Sequence, residues 1–297
     1  KANHSFQARL WRTRCRRLCR ATRVLVRSVQ PDLLYLAAER HADSRRHSLR
    51  RVYDNACRWA TAVRVRKGFT LGHRVLALGS REQRWLEASL PQIRNRLGSY
   101  VLAPRPEDRL RLLEVRAQRR QETPSTNLRF LWIGRWARHK GPEALLSWAL
   151  QHLRAHPEDS LTIAGAGSLP DDAAAAIACV GAGIRWVPSF CRADLPALLR
   201  NHDVGLFTST VEGWGVSLQE MLESGLPVWA TDAGATEELV QYFPRQLRAF
   251  PPAASENLGI DDLSASHYLE RFNWRRIGDD YEAQLIQATR PPDLVRS

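Results

Sequence analysis

The sequence predicts an α/β protein whose most regular part is a parallel β-sheet covered by helices on both faces. Three observations lead there. From residue 128 onward, apolar runs of three to six residues alternate with segments of helical periodicity. That is the pattern of strands buried on both sides and joined by crossover helices. Two of these runs stop at a glycine, Gly134 and Gly165, where a loop can begin. The hydrophobic share of 44% and the charged share of 25% are those of an ordinary folded chain.

Taken in order, residues 6–29 set Phe6, Leu10, Trp11, Cys15, Leu18 and Leu25 at helical spacing among eight arginines. They read as a basic amphipathic helix. After Pro31, residues 32–38 read as a buried strand and 48–66 as a basic helical stretch. Residues 74–78 (RVLAL) read as a strand and 81–89 as a helix, with Ser80 as its N-cap. Residues 104–122 are charged, punctuated by proline and short of apolar periodicity, so they are assigned to the connection between two domains. The regular part opens with a strand at 128–133 and a helix begun by Pro142, at a first-turn position that tolerates proline. A strand at 160–164 and an alanine-rich helix from Asp171 follow. Strands at 184–187, 204–207 and 228–230 alternate with helices at 193–200, 215–224 and 236–242. A last helix starts at Phe272-Asn273-Trp274 and runs to Gln287. The expected division is a first domain over 1–122, a second over 123–268, and a carboxyl-terminal helix over 269–297 that crosses back to the first.

Charge divides the chain along the same line. Residues 1–122 hold 29 Lys and Arg against 10 Asp and Glu, or +19. The remainder holds 15 against 21, or −6, giving the net +13. Such asymmetry suits an anionic partner for the first half, whether a membrane surface, a nucleic acid or a phosphorylated substrate; an arginine-rich solvated surface explains it equally. No run of about 20 apolar residues is present. The first residue is Lys1 and the only methionine is Met221, so the natural amino terminus is expected to lie upstream. Five cysteines with no CxxC pair favour a reducing compartment over a disulfide framework or structural zinc, and Cys15 and Cys19 read as buried small apolar residues.

In a doubly wound sheet, ligands are expected at the carboxyl ends of the strands. There the first regular strand ends in Gly134-Arg135, and Lys140-Gly141 precedes the next helix. A glycine admits close backbone approach, and two fixed cations near a helix amino terminus suit a diphosphate. The second strand ends in Gly165-Ala166-Gly167. The segment 208–239 then places Glu212-Gly213-Trp214-Gly215 before a helix that carries Glu220. If the intervening residues were mostly helical, the two carboxylates would lie about 12 Å apart along the axis. That reach is too long for a hydrolase carboxylate pair and suited to the two ends of one long ligand.

These pieces, in this order, resemble the donor-binding domain of the family-four retaining glycosyltransferases of the GT-B fold. The resemblance rests on strand-GR then KG, strand-GAG, EGWG with Glu212 and Glu220 framing seven residues, SGLPV and TDAGATEELV. It implies two Rossmann-like domains facing a cleft, the first of them incomplete here. It also implies transfer with retention at the anomeric carbon, a nucleotide-diphosphate-sugar as donor substrate, and neither cofactor nor metal. Carried over, Arg135 and Lys140 neutralise the diphosphate and stabilise the leaving nucleotide, and Glu212 holds the sugar hydroxyls. The backbone of Gly134, Gly165, Gly213, Trp214, Gly215 and Val216 lines the pocket, and Glu220 accepts from the ribose. Glu212, Arg135 and Lys140 are the catalytic candidates, with His41 a weaker one.

Four departures from the family pattern stand out: Trp214 for a more usual phenylalanine, Glu223 for a small residue, Ala235 for the second glycine of a pair, and Pro188 for a glycine. Ala235 is expected to crowd the phosphate loop. The expected partners are the sugar donor, a glycan or lipid-linked acceptor and an anionic membrane surface, with no nucleic acid; the expected location is the cytoplasm, at the inner face of the membrane. Competing readings are a non-catalytic or truncated sugar-nucleotide binder, a GT-B epimerase and, last, a basic nucleic-acid-binding protein. Fold alone does not separate them.

Overall fold

The computed structural model describes residues 25–27, 63, 66–121, 127–165, 168–178, 183–252, 259–264 and 267–289. The chain forms two compact units, Lys1–Tyr100 with Arg275–Ser297, and Val101–Trp274. The divisions thus fall at 100/101 and 274/275 rather than at 122/123 and 268/269.

The first unit holds a parallel three-stranded sheet in the order β1 (Leu25–Arg27), β2 (Arg74–Leu78), β3 (Leu97–Tyr100). The strand at Leu25–Arg27 corrects the expectation of a helix running to residue 29. Val24 and Val26 supply β-branched alternation that outweighs one leucine at helical spacing. The expected strand at 32–38, most of the stretch at 48–66, and His41 lie outside the described residues.

Strand β2 stands where expected and leads straight into α1 (Gly79–Ser89). Ser80 is inside this helix, not its cap. The cap position is Leu78, and the buried Glu82 carboxylate accepts the Leu78 N–H at 2.6 Å, so a helix residue caps the helix from within. Phe69, Val75, Ala77, Leu86, Leu90, Ile93 and Leu97 close the core of this unit.

The second unit opens with α2 (Pro106–Arg119), where a connecting segment was expected. Pro106 at the first position and Glu107 and Asp108 in the first turn are a proper helix start. The apolar pattern is thin because arginines make much of the packing. Arg116 donates to the Leu222 carbonyl at 2.7 Å, and Arg119 to the carbonyls of His202 and Leu199 at 2.8 and 2.6 Å. Guanidinium groups that finish the carbonyl ends of other elements look, in sequence, like solvated charge.

Six parallel strands follow: β4 (Arg129–Ile133), β5 (Ser160–Ala164), β6 (Ile184–Val187), β7 (Val204–Phe207), β8 (Val228–Ala230) and β9 (Leu247–Ala249). All but the last were expected; β9 escaped because it is three residues long with one buried side chain. Their order is β6-β5-β4-β7-β8-β9. The chain winds outward from β4 to β6, returns to pair β7 with β4, and winds outward again. This reversal between β4 and β7 is the topological switch point at which such sheets bind ligands. The crossovers carry α3 (Pro142–Ala155), α4 (Asp171–Ala178), α5 (Leu195–Arg200), α6 (Val216–Glu223) and α7 (Thr236–Val240). Two further helices, α8 (Tyr268–Arg271) and α9 (Trp274–Thr289), end the described chain.

Helix α3 buries Leu145, Ala149 and Leu153 against Phe130, Trp132, Leu161 and Ile163 of the sheet. Phe130 meets Trp148 edge-on at 5.1 Å and stacks on Trp229 at 5.7 Å, geometries that aromatic rings favour. Among the described residues, no helix is long and apolar enough to cross a membrane.

Candidate active site

The strands on either side of the switch point finish level: Ile133 faces Ala164, Ala164 faces Val187, and Phe207 faces Ala230. Each of β4, β5, β7 and β8 therefore delivers its loop to the same edge of the sheet. Gly134, after β4, donates to the Ala164 carbonyl at 2.9 Å, and Gly165, after β5, donates to the Val187 carbonyl at 3.0 Å. A Cβ at Gly134 would stand 2.9 Å from the Trp132 indole, and one at Gly165 would run into the Gly134 carbonyl. Both strand ends are thus bare backbone by necessity. Ala166 and Gly167 lie outside the described residues. Gly165→Ala is expected to lower stability by about 1–3 kcal/mol through this overpacking, read as an earlier urea midpoint at unchanged slope. A midpoint equal to wild type would refute the contact.

The loop after β4 carries exposed Arg135 and ends in a short turn, Arg138–Lys140, closed by Gly141 at φ +66°. A side chain at Gly141 would strike the Thr208 carbonyl. Thr208, the first residue after β7, donates its hydroxyl to the Lys140 carbonyl at 2.9 Å and accepts the Trp132 indole N–H at 3.0 Å. Thr210 donates its N–H to the His139 carbonyl at 2.8 Å. The two loops are stitched together, and the result is a contact between two predicted site residues: the Lys140 ammonium is ion-paired with Glu212. Ser209 donates to the same carboxylate oxygen at 3.0 Å. The Lys140 and Glu212 side chains are 17% and 9% exposed, which makes this a sheltered pair.

Gly213 and Gly215 flank Trp214, whose ring is buried and donates to Gln219 Oε1 at 2.8 Å. Only the backbone of Trp214 is left for a ligand, which explains why an indole is accommodated here. Gly215 sits at φ +84° before α6, and a Cβ there would meet the Phe207 ring at 3.0 Å. Helix α6 begins at Val216, so its first N–H groups lack intrahelical partners and form the positive end of the helix.

Only the steps from Val216 to Glu220 are helical, so the axial estimate for the whole interval from Glu212 does not apply. The expected crowding at Ala235 is also corrected. Ala235 has φ −84° and donates to the Trp214 carbonyl at 2.8 Å, with its side chain fully buried. The residue that must be glycine is Gly234, at φ +59° and with the Trp214 carbonyl 2.6 Å from where a Cβ would be.

Glu223 also finds its reason: Arg109 grips it through Nε at 2.8 Å and Nη2 at 2.5 Å, and the Tyr268 hydroxyl donates to it at 2.7 Å. It is a buried structural carboxylate. Pro188 is exposed just beyond β6. Among the described residues, no group of three or more His, Cys, Asp or Glu could hold a metal ion.

Glu220 is buried, yet it is not bare. Arg192 Nη2 donates to Glu220 Oε1 at 2.7 Å and to Asp108 Oδ2 at 2.6 Å. Burial pushes the Glu220 carboxyl above its ordinary range, with Arg192 opposing. The Glu220 hydrogen bond chiefly raises the Arg192 guanidinium. Neither Arg192 nor Asp108 was singled out from the sequence. Asp108 lay in the segment assigned to a linker, and Arg192 opens a turn with no motif of its own. Ser209, three residues before Glu212, was missed for want of any motif.

Residues 127–256 match the family model of the glycosyl transferases group 1. A stretch of 180 residues is 28% identical to a glycogen synthase of Mycobacterium tuberculosis; the match spans 57% of this chain and 42% of that relative. Among solved structures, HepE of Anabaena, in complex with UDP and glucose, aligns with a TM-score of 0.55 at 19% identity, covering 76% of this chain and 67% of that one. The UDP-forming α,α-trehalose-phosphate synthase of Burkholderia vietnamiensis gives 0.55 at 11% identity, with 76% and 64% covered. Such identities speak to fold alone, and the fold they share is the α/β, parallel-sheet fold of GT-B glycosyltransferases. The segment 127–256, which holds every site residue placed above except Asp108, is the part of the chain that is similar to the glycosyl transferases group 1.

Proposed function

We propose that the chain is a retaining glycosyltransferase that moves a sugar from a nucleotide-diphosphate-sugar to a glycan or glycolipid acceptor. One observation carries the reading. A sheltered lysine–carboxylate pair, Lys140 and Glu212, stands ahead of the amino terminus of α6, and a buried carboxylate, Glu220, lies one turn into that helix. The diphosphate takes the space beside Lys140, where the ammonium and the free N–H groups of Val216 and its neighbours supply positive charge. Arg135, exposed on the same loop, adds a second cation. As the bond to the anomeric carbon breaks, charge grows on the departing diphosphate, and these fixed groups stabilise it. No metal is needed in this scheme, because the cations are the protein's own. Glu212, held by Lys140 and Ser209, keeps lone pairs for sugar hydroxyls, and Glu220 accepts from the ribose. The +19 balance of residues 1–122 suits an acceptor presented at an anionic membrane surface.

The test is calorimetric binding of UDP, GDP and ADP to this chain and to Glu220→Ala. UDP comes first, since HepE of the same fold was solved with it. One nucleotide should bind in the micromolar range and weaken about 10- to 100-fold in the variant, the worth of hydrogen bonds to a charged acceptor. A folded sample that binds none of the three rules the donor site out. Binding with no turnover of any matching sugar donor would leave a sugar-nucleotide binder and remove the transferase.

A further inference from the structure

The constellation Asp108–Arg192–Glu220 joins three separate segments of one unit: the first turn of α2, the turn after β6, and the middle of α6. A single guanidinium nitrogen reaches both carboxylates, at 2.6 and 2.7 Å. The Asp108 and Glu220 side chains are 13% and 5% exposed, whereas that of Arg192 is 45% exposed. The arginine therefore lies over the two carboxylates from the solvent side. It engages one oxygen of Glu220, Oε1. A carboxylate offers about four lone-pair positions, so room remains on Oε2 and beside the guanidinium contact.

We propose that Arg192, anchored by Asp108, is a positioning residue for Glu220: it aims that carboxylate and keeps it charged while a nucleotide's ribose hydroxyls take the remaining lone pairs. This rests on the donor-site reading above and adds to it a residue outside the motif. The charges around Glu220 define why a cation is needed there. Asp108 faces it from α2, and Glu223 lies one turn along α6, both negative and both raising its carboxyl further. Glu223 is already committed to Arg109 and the Tyr268 hydroxyl, so those partners are spent. Arg192 is the cation that meets Glu220 directly. Without it, a buried carboxylate between two others would take up its proton at a higher pH than in wild type. Once protonated, it can accept only weakly from a ribose.

The measurement is the pH dependence of nucleotide affinity for wild type, Arg192→Met and Arg192→Lys, from pH 5.5 to 8.5, using whichever of UDP, GDP and ADP binds wild type. The ratio of variant to wild-type Kd is read at each pH, which cancels the titration of the nucleotide's own phosphate. The ratio for Arg192→Met should rise steadily as pH falls from 8.5 to 5.5, because the carboxyl that has lost its cation takes up its proton at a higher pH than in wild type. Arg192→Lys should restore most of the flat profile, because it returns the charge. A constant ratio for Arg192→Met across the range, large or small, would mark Arg192 as packing only and overturn the proposal while leaving the donor site standing. If wild type binds no nucleotide, the donor-site reading fails and this one fails with it.

Discussion

Replacing Lys140 by methionine should slow sugar transfer by about 10²- to 10³-fold, the usual loss when one preorganised charge at a developing anion is removed. The stem length is kept, so packing changes little. What is lost is an ammonium paired with Glu212, on a backbone fixed by the Thr208 hydroxyl donating to the Lys140 carbonyl and by the Gly141 turn that admits no side chain. The variant also leaves Glu212 sheltered without its cation, so stability should fall as well. Adding Glu212→Gln to Lys140→Met should recover stability and leave the rate low. Release of nucleotide from the matched sugar donor, with an acceptor or with water, reports the rate. Turnover within threefold of wild type in the single variant would remove Lys140 from the chemistry.

Glu223→Ala should destabilise the second unit by about 3–5 kcal/mol, the range for breaking a buried ion pair from one side. Its side chain is fully buried and that of Arg109 is 12% exposed. The variant would strand the Arg109 guanidinium and take the acceptor from the Tyr268 hydroxyl. Burial and the neighbouring Glu223 charge push that hydroxyl far above the ordinary tyrosine range, so it remains a donor throughout the physiological window. The network runs on. Tyr268 accepts from Gln219 at 2.9 Å, and Gln219 accepts the Trp214 indole N–H. Losing Glu223 should therefore loosen the Gly213–Gly215 loop and weaken nucleotide binding beyond the stability loss. Replacing Arg109 by methionine and Glu223 by leucine together should cost much less than Glu223→Ala alone. Equal losses in the two variants would show that the site is limited by volume and not by charge.

The legibility of this chain followed where apolar side chains do the packing. Strands β2 and β4 to β8 were readable because each is a short, mostly apolar run between loops, and Gly134, Lys140 and Glu212 because strand ends and glycine-bracketed loops locate them. The helix Pro106–Arg119 was not readable, because Arg109, Arg116 and Arg119 pack by donating to buried acceptors. Glu223 looked like a departure because its partners come from residues 109 and 268, and no local spacing encodes such a pair. Arg192 was hidden for the same reason, being informative only once Asp108 and Glu220 are beside it. Gly165 and Gly234 are fixed by the carbonyls of Gly134 and Trp214, contacts between distant residues that chain neighbours alone do not reveal.

Helix α6 bears on any attempt to redirect the site. Its last six residues, Leu218 to Glu223, are all buried, so a library built on them would mostly collect misfolded chains. Exposed Pro188, just beyond β6, is open to variation without such losses, whereas exposed Arg192 is tied to the sheltered Asp108 and Glu220 carboxylates. A library confined to Pro188 should keep expression level and thermal midpoint nearly constant.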